Sequence, residues 1–409
     1  MGRVETVVVG GGQAGLATSY HLSRSGRDHV VLEARRVAEA WRSRRWDTFT
    51  LVGPNWTMQM PGMPYAGPEP HGYLRRDEIV EYFEAYARSF TAPLAEGVHV
   101  LAVKRGRRDR YVVESERGDF DCANVVVATG PYQRPKVPAA ARALDPDVAQ
   151  ITSDAYRNPG VLPDGAVLVV GSGQSGCQIA EDLREAGRTV YLSTGGTGWF
   201  PRRYRGRDNV LWREEMGFFD ATVDTLRSLA DRLAPVPIQT GKGGGHDLNL
   251  RTLARDGVIL AGRFTGGEGS QVHFADDPED NVRRSDDVAR RLMLEIDDHI
   301  RRRGDVAPVD DSDFFFWPRI DRVGQLDLKQ DRVSTIIWAI GYELDLGWVR
   351  LPVFDEYGYP IQRRGVTHEP GLAFVGLHWM YTRKSGLIWG AGDDAAHVVS
   401  SLVTAVVGR

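Results

Sequence analysis

The sequence predicts an α/β fold of two dinucleotide-binding, Rossmann-like domains, and three observations predict it. Two glycine fingerprints, GGGQAG at 10–15 and GSGQSG at 171–176, each follow a β-branched apolar run directly. Each then leads into a helical pattern and a second apolar run, giving strand, helix, strand twice over. A further run, Val125 to Ala128, ends in Thr129 and Gly130, and Thr335 to Ala339 repeats that ending with Ile340 and Gly341.

The first unit opens with Thr6 to Val9, which reads as a buried parallel strand. Gly10 permits the tight turn, Gly12 lets the backbone approach a pyrophosphate, and Gly15 allows helix and strand to pack closely. The helix opens at Gln13 and Ala14, where its N-terminus attracts phosphate charge, and its pattern runs from Leu16 to Ser25. The next strand, His29 to Leu32, leads to Glu33 and Ala34. An acid there accepts hydrogen bonds from a ribose, so this unit is read as the FAD site.

The second unit repeats the plan with a strand at Val167 to Val170, then Gly171, Ser172, Gly173, Gln174, Ser175 and Gly176. A helix at Cys177 to Ala186 and a strand at Thr189 to Leu192 follow. That strand ends in Ser193 and Thr194 instead of an acid, and Arg202 and Arg203 lie just beyond. Hydroxyls and arginines suit a 2'-phosphate, so NADPH is the expected second nucleotide. The domains are read as 1–160 for FAD, 161–325 for NAD(P)H with an insertion at about 203–300, and 326–409 as a return to the FAD domain. Within the insertion Phe219 to Leu233 reads as helical, beside the glycine cluster GKGGGH at 241–246.

A length of 409 residues suits two or three domains at roughly 150 residues each. A hydrophobic share of 42% and a charged share of 26% are those of a soluble globular protein. The net charge of −4 gives no basic field, which argues against nucleic acid as a partner. Only Cys122 and Cys177 occur, far apart and outside any CxxC pair, which argues against a disulfide framework, a zinc cluster or a dithiol relay. A strand-like run by Val4 leaves no room for a signal peptide, and Ala395 to Val407 is too short and too polar to span a bilayer. The expectation is a cytoplasmic protein with a docked C-terminal helix and no membrane span; nothing in the sequence argues against a homodimer.

FAD beside a nicotinamide dinucleotide implies hydride transfer to the flavin. From there the electrons go to a disulfide, which the missing CxxC disfavours, to a quinone or iron–sulfur partner, or to oxygen.

In the order of its motifs the chain resembles the class B flavin-dependent monooxygenases, which include the flavin-containing and plant indole-3-pyruvate monooxygenases. The resemblance rests on GGGQAG with Glu33, WRSRRWDTFTLVGPNW at 41–56, ATGPYQRPKVP at 128–138, GSGQSG, AIGY at 339–342 and SGLIWGAGDDAAHVV from 385. It implies that FAD reduced by NADPH reacts with oxygen to give a peroxide adduct. That adduct would oxygenate a nitrogen, a sulfur or a carbonyl-adjacent carbon of a small organic substrate. Carried over by residue, Trp41 and Arg42 match the segment running past FAD, and Asn55 matches an asparagine that steadies the oxygenated flavin. Leu387 lies in SGLI, the segment that brings a helix N-terminus to the flavin ring. Arg383 and Lys384 just before it are candidates for stabilising a reduced anionic flavin or binding an acidic substrate.

Two stretches depart from the family pattern. PDVAQITSDAY at 146–156 keeps Tyr156, but Pro146, Val148 and Thr152 stand where the family has phenylalanine, glycine and histidine. Gly195 and Gly196 occupy the loop where an arginine usually follows Ser193. The departures keep two other readings open: an NAD(P)H-dependent flavin reductase serving a quinone or protein acceptor, and a non-enzymatic redox-sensing flavoprotein. Trp199, Phe200, Trp212, Phe218 and Phe219 are candidate walls of an apolar cleft. His71, His246 and His378 have no metal or triad spacing and receive no role.

Overall fold

The computed structural model describes residues 2–108 and 110–407, with side chains as far as residue 403. The first half contributes β1 (Gly2–Val9), β2 (His29–Glu33), β3 (Leu94–Glu96), β4 (Val100–Arg105), β5 (Tyr111–Ser115) and β6 (Phe120–Val127). A second set follows: β7 (Ala149–Thr152), β8 (Ala166–Val170), β9 (Val190–Ser193), β10 (Ile259–Ala261) and β11 (Val333–Trp338). The last three strands used here are β12 (Gln362–Arg363), β13 (Val366–Thr367) and β14 (Leu372–Phe374).

Two sheets result. In the first, β14, β6, β1, β2 and β3 run parallel in that order, with β5 antiparallel to β6, β4 antiparallel to β5, and β12 and β13 at the edge. The second is wholly parallel in the order β7, β11, β8, β9, β10. The valine runs explain why both sheets are covered on two faces. Along β1, Val7 and Val9 enter one apolar core and Val8 another; along β8, Val167 and Val169 point one way and Leu168 and Val170 the other. Val8, Val167 and Val169 share a single core, so the two sheets are joined by buried apolar surface.

The helices are α1 (Gln13–Arg24), α2 (Glu39–Ser43), α3 (Arg76–Ser89), α4 (Gln174–Glu185), α5 (Asn209–Glu215), α6 (Leu250–Arg255), α7 (Pro278–Arg303) and α8 (Ile388–Val407). Helix α7 starts with proline in its first turn and stops at Gly304, whose φ of +69° gives the left-handed cap that favours glycine. Helix α8 buries Ala391, Ala395, Val398, Val399 and Leu402, a helical stripe. No helix among the described residues is long and apolar enough to cross a membrane.

Three sequence expectations change. The strand after residue 326 was expected to re-enter the first sheet, but β11 lies in the second, between β7 and β8. The chain therefore crosses outward at Arg134–Pro135 and back at Tyr342–Glu343, two segments paired antiparallel with each other, and the boundaries read at 160 and 326 move to those crossings. The 203–300 stretch is not a pure insertion, because β10 is the edge strand beside β9. Finally, Phe219 to Leu233 forms only short 3-10 turns, at Val223–Thr225 and Leu229–Leu233. Part of its backbone bonding is spent elsewhere: Val223 N donates to Tyr381 O, and Ala221 O accepts from Arg383 N.

Candidate functional site

The two glycine fingerprints fold into matching cradles. A Cβ on Gly10 (φ +111°) would stand 2.6 Å from Ala128 O, and one on Gly171 (φ +107°) 2.6 Å from Ala339 O. A Cβ on Gly15 would stand 1.8 Å from Gly10 O, and one on Gly176 1.8 Å from Gly171 O. These four glycines are required by packing. Gly12 and Gly173 differ, because a Cβ on either meets nothing within 4 Å. They are the N-caps of α1 and α4; neither helix has a side-chain cap or an acid in its first turn. An open backbone at an uncapped helix start fits a pyrophosphate, so both cradles fit the nucleotides the sequence calls for.

The last residue of each fingerprint's strand–turn neighbour repeats as well. Thr129 and Gly130 follow β6 beside β1, and Ile340 and Gly341 follow β11 beside β8. Gly341 thus belongs to the second cradle, not to the FAD domain. Gln13 and Gln174 hold equivalent places and each ties its helix start to a distant segment. Gln13 Nε2 donates to Gly386 O at 3.2 Å, and Gln174 exchanges hydrogen bonds with the backbone of Gln239. Ala14 packs under Gly376, where a Cβ would come within 2.4 Å of it.

Glu33 accepts from Gly11 N at 2.7 Å and from Arg35 N at 3.0 Å, so it shapes the loop while keeping lone pairs for a ribose; Ala34 beside it is exposed. Trp41 packs among Phe49 and Phe83. Arg42 is engaged by Glu84 at 2.5 Å. In the second cradle Ser172 Oγ accepts from Gly195 N at 2.8 Å, which sets the loop after β9, and Ser175 is half-buried in the first turn of α4.

The expected 2'-phosphate site is corrected at two of its three residues. Ser193 is 2% exposed and its hydroxyl is committed, donating to Gly262 O at 3.0 Å and accepting from Phe264 N at 2.9 Å. Arg202 is 2% exposed, pairs with Asp208 at 2.7 Å and donates to Val52 O at 2.9 Å. Arg203 is exposed and donates to the carbonyls of Gly244 and Gly245. An arginine that the sequence did not single out lies closer to the loop after β9. Helix α7 runs alongside that loop: Asn281 Nδ2 donates to Thr194 Oγ1 at 3.1 Å and Ser285 Oγ to Thr197 O at 2.7 Å. Between them Arg284 is exposed, with its Cδ 3.8 Å from where a Cβ on Gly196 would stand.

Asn55 is 3% exposed and already in use. Its Nδ2 donates to Glu69 O at 2.9 Å and its Oδ1 accepts from Leu74 N at 2.6 Å, so the amide fastens the 69–74 segment. One N–H remains, with only the Tyr65 hydroxyl at 3.5 Å before it. Leu387 stands exposed just before α8, and Leu387 N donates to Lys384 O at 2.8 Å. Lys384 itself pairs with Asp220 at 2.9 Å. Of the aromatic residues, Trp199 and Trp212 are core: their indole N–H groups donate to Asp286 at 3.1 Å and to Tyr204 O at 2.8 Å. Although most of the 146–156 stretch departs from the family pattern, Tyr156 still couples the sheets. Its hydroxyl donates to Asp182 on α4 at 2.7 Å, and Asp182 accepts from Thr48 at 2.7 Å.

The comparisons agree with this architecture. A family model described as pyridine nucleotide-disulphide oxidoreductase matches residues 7–210. An uncharacterized oxidoreductase CzcO-like of Geobacillus kaustophilus is 31% identical over 98% of each chain. The indole-3-pyruvate monooxygenase YUCCA1 of rice is 31% identical, covering 97% of this chain and 90% of that protein. The flavin-containing monooxygenase of Stenotrophomonas maltophilia, at 19% identity, shares the fold with a TM-score of 0.68 over 99% of this chain and 100% of that one. With paired cradles in this order and relatives matched end to end, the chain belongs to the class B flavin monooxygenase family of oxidoreductases.

Proposed function

We propose that the chain is an FAD-dependent, NADPH-consuming monooxygenase acting on a small organic substrate. When bound, FAD would supply acceptance of a hydride from NADPH and transfer of the electrons to dioxygen. One oxygen atom then enters a nitrogen, a sulfur or a carbonyl-adjacent carbon of the substrate, and the other leaves as water.

The observation that carries the reading is the paired cradle. Gln13 and Gln174 anchor the two helix starts to Gly386 and Gln239, and the segments so anchored are linked through Arg213 and Arg383 on the Phe218 ring, which supports two nucleotides converging there. Glu33 would hold the ribose of FAD, the N-termini of α1 and α4 the two pyrophosphates, and Arg284, with Arg203 further along, the 2'-phosphate. Asn55 would act by positioning: it fastens the 69–74 segment, and its remaining N–H, with the Tyr65 hydroxyl 3.5 Å before it, is the donor left for the flavin edge.

Transfer to a protein disulfide is disfavoured by the placement of the thiols. Cys122 is buried in β6 and Cys177 in α4, in different cores. Burial pushes the Cys122 thiol up to about 12 and raises that of Cys177 as well, so neither is a ready thiolate.

Stopped-flow reoxidation of the NADPH-reduced, FAD-loaded enzyme under labelled dioxygen tests the proposal. A product carrying one labelled atom for each NADPH is expected. Direct return to oxidised flavin with quantitative hydrogen peroxide, or no reaction with oxygen, would move the chain to the reductase reading.

A further inference from the structure

Two guanidinium groups from distant parts of the chain meet on one ring. Arg213, in α5, holds its Cζ 5.3 Å from the centre of the Phe218 ring, and Arg383, shortly before α8, holds its own 3.8 Å from it. Arg213 also lies over Phe200 and Phe219, at 4.8 and 4.9 Å. The carboxylates that act on these arginines, Asp208 and Glu295, do so from beyond ion-pair distance. Arg213 is 5% exposed, and its Nη2 donates to Gln239 Oε1 at 2.9 Å.

Five buried donors gather around these arginines. Arg213 Nε, Arg383 Nε, Gln239 Nε2 and the indole nitrogens of Trp56 and Trp389 are all buried without a partner. The rings carrying or flanking these groups are continuous: Trp56 to Trp389 at 4.9 Å, Trp389 to Phe219 at 4.8 Å, Phe219 to Phe218 at 5.3 Å. Each of these five orphans is an N–H donor; among the described residues the unpartnered acceptors on the same helices are Asn209 Oδ1, one turn before Arg213, and Asp394 Oδ2. A fold rarely leaves several buried donors unmet, and an unpaired buried cation is costlier still. Burial lowers Arg213 to about 9, which leaves it charged at neutral pH. The missing partner is therefore an electron-rich, negatively charged group on a flat apolar body.

The cluster also lies between the cradles. Gln239, which holds Arg213, is tied to Gln174 at the start of α4. Arg383 is three residues from Gly386, which is tied to Gln13 at the start of α1. Trp56 follows Asn55, and Trp389 sits in the first turn of α8.

We propose that Arg213 and Arg383 bind the carboxylate of a small aromatic acid, which makes aromatic acids the substrate class. The assignment rests on the monooxygenase reading for its chemistry but not for its test. The FAD-loaded, oxidised enzyme is titrated without NADPH, and the quenching of tryptophan fluorescence is followed. The probes are para-methylthiobenzoate and thioanisole, which share an oxidisable sulfur and differ in the carboxylate. The acid should bind ~10-fold or more tightly than thioanisole, as one charge-assisted contact supplies. Arg213→Met and Arg383→Met should each remove most of that advantage and leave thioanisole unchanged, while Arg213→Lys retains part of it. Equal binding of the two probes overturns the proposal, as does equal weakening of both by the variants. It also falls if the variants shift the flavin midpoint potential or the affinity for NADP+ and leave acid binding intact, because the arginines then serve a nucleotide. Since neither NADPH nor turnover enters, failure to oxygenate leaves acid binding standing, and failure to bind acids leaves the monooxygenase reading standing.

Discussion

Arg202 donates from Nη2 to Oδ1 of Asp208 at 2.7 Å, with 2% of its side chain and 11% of its partner's exposed. The same guanidinium donates to Val52 O at 2.9 Å and lies 5.2 Å from the centre of the Tyr73 ring, whose hydroxyl also donates to Asp208. It is a fastener between the second unit and the loop leading to Asn55; its Nε lacks a partner but is buried, so no edge is open to a phosphate. Removing one partner of such a buried pair leaves the other uncompensated, which costs about 3–5 kcal/mol. Arg202→Met should lower unfolding stability in urea by that order. The ratio of flavin-reduction rates with NADPH and NADH should stay unchanged, and a changed ratio at unchanged stability would return Arg202 to the cofactor site.

Arg284 is the opposite case. It is exposed and stands beside Gly196, and among the described residues its one hydrogen bond is from Nε to Asp280 O at 3.3 Å. The nearby Asp280 and Glu279 carboxylates are taken up by Arg283, at 3.2 and 3.1 Å. A charge-assisted contact with phosphate is worth about 1.5–3 kcal/mol before screening. Arg284→Ala should weaken NADP+ by ~10-fold at low salt and leave NAD+ unaffected, as read by calorimetry. Equal loss for both nucleotides would place Arg284 outside the 2'-phosphate site.

The cradles separate packing glycines from ligand glycines. A Cβ on Gly15 collides with Gly10 O at 1.8 Å, so Gly15→Ala should abolish the folded first cradle and yield protein without FAD. Gly12→Ala meets no protein atom within 4 Å. It should fold normally by circular dichroism and lose FAD through contact with the pyrophosphate alone. Gly173→Ala should retain FAD and raise the NADPH concentration needed for half-maximal flavin reduction by ~10-fold or more, about 1.4 kcal/mol. Normal nucleotide binding by both variants would remove Gly12 and Gly173 from the phosphate sites.

These contrasts show what could be read in the sequence. The cradles were legible because glycine spacing acts within six residues, and Gly10, Gly12 and Gly15 specify turn, approach and packing by themselves. The ending shared by Gly130 and Gly341 was legible too, yet its sheet was not: β11 pairs with β8, Thr335 opposite Val167, across a separation that no local pattern encodes. Ser193 offered the right hydroxyl for a phosphate, but its bonds to Gly262 and Phe264 come from a strand end far along the chain. Arg202 and Arg284 are alike as letters; burial in one place and exposure in the other decide between them. Helix α7, which carries Arg284 to the loop after β9, has nothing in its sequence that names its neighbour.

Asp394 supplies a pH dependence of known sign. It lies in the second turn of α8, 2% exposed, with Oδ2 lacking a partner. Burial raises its carboxyl from the ordinary 3.8 to about 6, against the opposing pull of Ser385 and Arg364. Between those values the folded chain holds a proton that the unfolded chain has released, so stability falls as pH rises from about 4 to about 6. Above that window both states are ionised and the penalty is complete; the interval corresponds to about 3 kcal/mol at most. Asp394→Asn removes the titration while keeping the shape. The variant should match the natural chain near pH 4 and exceed it by ~2–3 kcal/mol at pH 7, with the difference opening across the window. Urea unfolding of both proteins at half-unit steps of pH reads this directly. A difference independent of pH would show that Asp394 is ionised in the folded chain throughout and that its buried oxygen has found a cationic partner.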